Sequence, residues 1–261
     1  MTGPAARTVE VCRGQGSDTP LVVLIHGVGF GPATLAPLAA ALEPYARVEI
    51  VARRGYGARA HVPPAATVSE HVDDVLGVLD ETGTPRAVVA GMSGGATVAL
   101  ALALRNPERV VTAVAHEPAV GSLSPELRAL VSGALSRGGG NELLRVLAGA
   151  DTWDGLPDDG VSALDARAGL VEADARAFLA FEPHLPPNPP GCPLVCSVGE
   201  RSSALRFTVA ERLAARTGGV VHVVPGCGHL PQLDAPAAFA QLILDRAQRA
   251  TLVNRVETGA R

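Results

Sequence analysis

Two separated stretches place a nucleophile and a base where acyl chemistry could use them. Gly91-Met92-Ser93-Gly94-Gly95 matches G-x-S-x-G, a pattern whose small flanking residues permit a sharp strand-to-helix turn that holds the serine hydroxyl out in strained backbone. A serine hydroxyl is a weak nucleophile at neutral pH and needs a base within hydrogen-bond reach. His229, at the end of Pro225-Gly226-Cys227-Gly228-His229, can supply it. His61, His71, His184 and His222 fall at positions suited to solvated or packing roles. Attack on an acyl carbon creates an oxyanion that preorganised donors must meet. The backbone N–H groups of Gly94 and of Val28, in His26-Gly27-Val28-Gly29, occupy the expected places, and Gly27 and Gly29 let that backbone approach.

These residues need elements to hold them. Leu21–Ile25 is a short apolar run ending in the His26-Gly27 loop, which reads as a buried parallel strand. A helix follows over Pro32–Leu42. Val48–Val51 is a second strand and leads into the turn Arg54-Gly55-Tyr56-Gly57, and Thr67–Glu81 has helical apolar spacing. Ala87–Ala90 is a third strand, joined through Ser93 to a helix over Ala96–Arg105 that Pro107 helps to close. Val110–Ala115 is a fourth strand. From about Gly121 to Pro190 the rhythm breaks into helical patches at Pro125–Leu135, Asn141–Leu147 and Val161–Phe181. We take 121–190 as a helical cap inserted in a core made of 1–120 and 191–261. Strands resume at Pro193–Val198 and Val220–Val224, with helices at Ala204–Thr217 and from Pro236. Strands alternating with helices imply an α/β fold, a mostly parallel sheet covered on both faces, with ligands at the carboxyl ends of the strands.

Composition narrows the class. With 261 residues and 47% hydrophobic content, the chain suits one domain, or one with an insertion, better than two cores. The net charge is −4 and the basic residues, all Arg, are scattered, so nucleic acid is excluded as an expected partner. Met1–Gly14 has no apolar run of signal type and no stretch is long enough to span a bilayer. The expectation is therefore a cytoplasmic protein with no membrane partner. Cys12, Cys192, Cys196 and Cys227 form no C-x-x-C pair, so reduced, buried thiols are expected. The Ala, Gly, Pro and Arg abundance suits a GC-rich bacterial genome. No zinc-spaced ligand cluster and no G-x-x-x-x-G-K loop is present, so no cofactor is expected. A small molecule is the expected partner, and the oligomeric state, a homo-oligomer included, stays open.

Taken in order, the His26-Gly27 loop, the Arg54-Gly-Tyr-Gly turn, the Ser93 elbow and the Gly-x-Gly-His229 ending resemble the α/β-hydrolase superfamily across nearly the whole chain outside the insertion. The resemblance implies a central sheet with helices on both faces and a triad completed by a buried carboxylate. The usual superfamily position for that acid falls in Gly199-Glu200-Arg201-Ser202-Ser203, where no Asp occurs. The loop after the fourth strand reads His116-Glu117-Pro118. Haloalkane dehalogenases and the fungal zearalenone lactone hydrolases carry a Glu there, at a similar distance beyond the nucleophile. The resemblance therefore implies Glu117 as the acid, with Glu200 as the alternative. Ala52 departs from the Asp that often precedes the Arg-Gly turn, a matter of fold stability rather than catalysis.

A serine at the elbow implies acyl transfer to water, with a carboxylic ester or lactone of a small organic molecule as first substrate class. Thioester or carbon–carbon cleavage and cofactor-free perhydrolysis would use the same triad. A non-catalytic binding protein on the same fold is the alternative from another class. Phe30, Met92 and Trp153 are the candidate walls of the substrate pocket. Cys227, beside the histidine loop, reads as a small buried hydrophobe.

Overall fold

The computed structural model describes residues 20–149, 167–185 and 191–258. Six parallel strands form one sheet in the order β2-β1-β3-β4-β5-β6. They are β1 (Leu21–Ile25), β2 (Arg47–Val51), β3 (Ala87–Met92), β4 (Val110–His116), β5 (Leu194–Gly199) and β6 (Val220–Val224). β1 and β3 read as unbroken apolar runs because helices bury both of their faces. Every residue of β1, β3 and β5 is buried. The β1 register Val22↔Val88 to Ile25↔Gly91 brings the carboxyl ends of β1 and β3 level, so the loops that follow them face each other.

The core splits across the sheet. One face packs α2 (Val68–Glu81), α3 (Gly94–Arg105) and α6 (Ala204–Thr217); the other packs α1 (Ala36–Leu42) and α8 (Pro236–Thr258), with the short α7 (Pro231–Asp234) leading into α8. The expected helix over Pro32–Leu42 divides into a 3-10 turn, Pro32–Leu35, and α1. Thr67 closes α2 as N-cap, its hydroxyl accepting from Glu70 N–H while the Glu70 carboxylate accepts from Thr67 N–H. Such a cap contributes about 1 kcal/mol.

Between β4 and β5 the chain inserts α4 (Pro125–Ala148) and α5 (Ala168–Leu179). The two expected patches at Pro125–Leu135 and Asn141–Leu147 run together into α4, broken at Gly138 and Gly139, where φ/ψ leave the helical region. Residues 161–166 of the third patch lie outside the described residues. The insertion sits on bare glycine backbone. A Cβ on Gly29 would lie 2.1 Å from Leu144 of α4, one on Gly55 2.5 Å from Leu170 of α5, and one on Gly94 2.7 Å from Phe178 of α5. A side chain at these places would force Leu144, Leu170 and Phe178 to repack.

Candidate active site

Ser93 joins β3 to α3 with φ 53° and ψ −118°, a left-handed conformation that costs a side-chain-bearing residue about 1–3 kcal/mol. Backbone bonds hold it there: Ser93 N–H donates to His116 O at 2.9 Å and Thr97 N–H donates to Ser93 O at 3.1 Å. The flanking glycines are needed for a second reason. A Cβ on Gly91 would fall 2.2 Å from Gly95 O, and one on Gly95 2.1 Å from Ile25 O. Only hydrogen at both positions lets α3 approach β1 closely enough to set Ser93 at the sheet edge. Gly94 opens α3, where backbone N–H groups have no acceptor inside the helix.

Glu117 leaves β4 with φ 47°, its N–H donating to Ser197 O at 2.9 Å on β5. This turn buries its carboxylate and aims it at the loop after β6. Oε2 accepts from His229 Nδ1 at 2.6 Å. Oε1 accepts from Gly199 N–H at 3.0 Å and from the Ser202 hydroxyl in a short contact. Arg206 Nε, on α6, lies 3.5 Å from Oε2. Burial alone would raise the Glu117 pKa, but the hydrogen bond from His229 and the positive groups around it bring it well below the usual carboxylate range. Glu117 is thus ionised at neutral pH. The other sequence candidate, Glu200, accepts from Gly226 N–H at 2.9 Å and ties the turn ahead of His229.

His116 is buried against this cluster. Its Nε2 is 3.2 Å from Gly228 O and its Nδ1 3.1 Å from Ser197 Oγ. A carbonyl can only accept, so Nε2 carries the proton and Nδ1 accepts from the Ser197 hydroxyl. Burial pushes the His116 pKa down to about 4, which keeps this neutral tautomer and pins the carbonyl just before His229. The His229 pKa is itself lowered, first by burial and then by the Arg206 charge, against the opposing pull of Glu117. His229 is therefore a neutral imidazole near pH 7, the form able to accept a proton.

The loop after β1 is held by a buried network. Arg53 Nη2 donates to Gly27 O at 2.9 Å and Arg53 Nε to His26 O at 3.1 Å. His26 Nδ1 donates to Gly27 O at 2.8 Å, leaving Nε2 to accept from Arg53 N–H at 3.1 Å. Gly29 N–H donates to the Tyr56 hydroxyl at 2.9 Å. Asp174, on α5, takes Arg53 Nη2 at 2.8 Å and the Tyr56 hydroxyl at 2.7 Å on one oxygen, Oδ2.

Two cavities meet at Ser93. One is lined by Val28, Phe30, Met92, Ser93, His229 and neighbours. The other, larger one runs under the insertion between Val28, Ser93, Val131, Leu143 and Phe178, with Arg206 at its wall. Of the residues expected from sequence, Ser93, His229, Val28, Phe30 and Met92 thus share one cavity, Gly94 follows Ser93 directly, and Glu117 stands behind His229. Trp153 lies outside the described residues. Cys192, Cys196 and Cys227 are free and buried. Burial raises the Cys227 thiol to about 11, so it is no nucleophile at neutral pH. Among the described residues no group of His, Cys, Asp and Glu is placed to hold a metal ion, and no helix is long and apolar enough to cross a membrane.

Residue pattern does not single out His116, Ser202, Arg206 or the Arg53–Tyr56–Asp174 network. Ser202 alone carries a signal, since it stands in the loop where the superfamily resemblance places an acid. Arg206 and Asp174 lie on helices where an Arg or Asp ordinarily faces water, and only packing buries them.

The chain is 28% identical over 259 residues to a 2-hydroxy-6-oxononadienedioate/2-hydroxy-6-oxononatrienedioate hydrolase of Cupriavidus pinatubonensis, covering 90% of this chain and 89% of that protein. It is 26% identical over 210 residues to the zearalenone hydrolase of Bionectria ochroleuca, covering 75% and 77%. Among solved structures, a thermophilic esterase from Thermogutta terrifontis superposes with a TM-score of 0.73 at 21% identity, covering 93% of each chain. A family model described as the alpha/beta hydrolase family matches residues 22–242, and the chain belongs to that family.

Proposed function

We propose that this protein is a serine hydrolase that cleaves a carboxylic ester or lactone of a small, largely apolar molecule through an acyl-enzyme, with Ser93, His229 and Glu117 as its triad. One observation carries the reading: His229 Nδ1 stands 2.6 Å from the buried Glu117 carboxylate while His229 and Ser93 line one cavity. With Nδ1–H donated to Glu117, Nε2 is left unprotonated and can take the Ser93 proton as Oγ attacks the acyl carbon. The Val28 and Gly94 N–H groups receive the oxyanion. Collapse of the tetrahedral adduct expels the alcohol, which takes the proton from His229, and water then repeats the cycle on the acyl-enzyme. Residues 121–190 act as a cap, with α4 and α5 roofing the acyl pocket. Cytoplasmic residence belongs to the same proposal and is supported by the three free, buried thiols.

The test is turnover of short p-nitrophenyl esters and of a lactone panel by wild type and Ser93→Ala, with fluorophosphonate labelling of both. We expect the wild type to turn over and label, and Ser93→Ala to lose at least roughly 10³-fold in kcat and all labelling. A folded wild type that neither labels nor turns over would favour a ligand-binding protein. Thioester or carbon–carbon bond cleavage would appear as wild-type labelling without ester or lactone turnover.

A further inference from the structure

We infer that Asp174, on cap helix α5, is a positioning residue that orients the oxyanion donor at Val28 through Arg53 and Tyr56. This rests on the serine-hydrolase reading above. The Val28 N–H belongs to the same peptide unit as the Gly27 carbonyl. That unit is trans, as no peptide bond among the described residues is cis, so its N–H and C=O point in opposite directions and fixing one fixes the other.

Two donors fix the Gly27 oxygen, Arg53 Nη2 at 2.9 Å and His26 Nδ1 at 2.8 Å. The first is a charged guanidinium. It also polarises the amide, making Val28 N–H a stronger donor to an oxyanion. On the other side of Val28, the Tyr56 hydroxyl accepts from Gly29 N–H at 2.9 Å.

Among the described residues no carboxylate of the strand-and-loop core is bonded to Arg53 or Tyr56. Asp174 supplies it from the cap, both groups converging on Oδ2 at 2.8 Å and 2.7 Å, with Arg53 and Asp174 essentially buried. The same helix sends Ala175 and Phe178 into the wall of the larger cavity beside Ser93. One rigid element thus carries both the pocket wall and the group that sets the hole. Without Asp174, Arg53 would lose this counter-charge while it is the charged group that donates to the Gly27 oxygen.

The test compares wild type, Asp174→Asn and the double variant Arg53→Met/Asp174→Leu. Replacing a buried ion pair by apolar residues of similar size usually preserves stability, so the double variant keeps the test sound if Asp174→Asn folds poorly. Thermal melting checks folding. On a p-nitrophenyl ester we expect the double variant to lose roughly 10- to 100-fold in kcat with KM within about 3-fold, because His26 still holds the Gly27 oxygen. Inhibition by butylboronic acid, whose tetrahedral adduct places an oxygen in the hole, should weaken by a similar factor. Asp174→Asn should move both readouts in the same direction. A folded double variant with wild-type kcat and boronate inhibition overturns the inference, as does a loss confined to KM. A wild type without turnover or fluorophosphonate labelling overturns the serine-hydrolase reading and this inference with it.

Discussion

Replacing Glu117 with Gln changes one oxygen for an amide nitrogen at constant shape, and the surroundings decide which oxygen is replaced. Two donors converge on Oε1, Gly199 N–H at 3.0 Å and the Ser202 hydroxyl, whereas one ring nitrogen, His229 Nδ1 at 2.6 Å, faces Oε2. The Gln carbonyl therefore takes the Oε1 place and its NH2 faces His229. An NH2 can only donate, so it selects the imidazole tautomer with a bare Nδ1 and a protonated Nε2. That tautomer cannot accept the Ser93 proton. In the serine-protease template the equivalent change costs about 10⁴-fold in kcat with geometry intact, or about 5.5 kcal/mol at 1.36 kcal/mol per decade. We expect a loss of roughly 10³- to 10⁴-fold here. Arg206, 3.5 Å from the lost charge, becomes a nearly buried cation without a counter-ion, and the variant should lose about 3 kcal/mol of stability. Steady-state ester hydrolysis and denaturant titration read the two effects separately. A Glu117→Gln enzyme within about 10-fold of wild-type kcat would refute the tautomer argument and the acid role together.

Further tests follow from the same contacts. The His229 pKa is lowered from 6.5 by burial and by Arg206, so the neutral base persists as the solution is acidified. The acid limb of a kcat/KM profile should therefore lie below pH 6.5. Arg206→Met removes the neighbouring cation and should move that limb upward; a downward or absent shift would contradict the assignment. Gly95→Ala would drive a methyl to 2.1 Å from Ile25 O and force α3 away from β1, costing about 3 kcal/mol. Thermal melting should show a fall of roughly 6–12 °C for a chain of this size, and an unchanged midpoint would mean that the elbow can relax. Ser202→Ala removes one of the donors on Glu117 Oε1 and should reduce kcat by about 10-fold with little change in KM, measured on the same ester.

Much of this protein is legible from residue types alone. The strands and the helices between them follow from short apolar runs, periodic spacing and glycine turns; β1 and β3 are apolar throughout because helices cover both of their faces, whereas the edge strand β6 is apolar although largely exposed. Ser93 and His229 are legible because an elbow needs glycines on both sides and because the loop after the last strand falls on the ligand edge. The carboxylate is half-legible: the family resemblance narrows it to Glu117 or Glu200, and only the left-handed turn at Glu117, φ 47°, brings one of them to 2.6 Å from His229. Arg206, Ser202, His116 and Asp174 become site residues through contacts between elements far apart in the chain, such as Arg53 with Asp174 across 121 residues. Local pattern carries no record of such contacts, since an Arg or Asp on an amphipathic helix looks alike whether it faces water or a buried partner. Packing decides that, and with it which charges stand close enough to tune the histidine and the oxyanion loop.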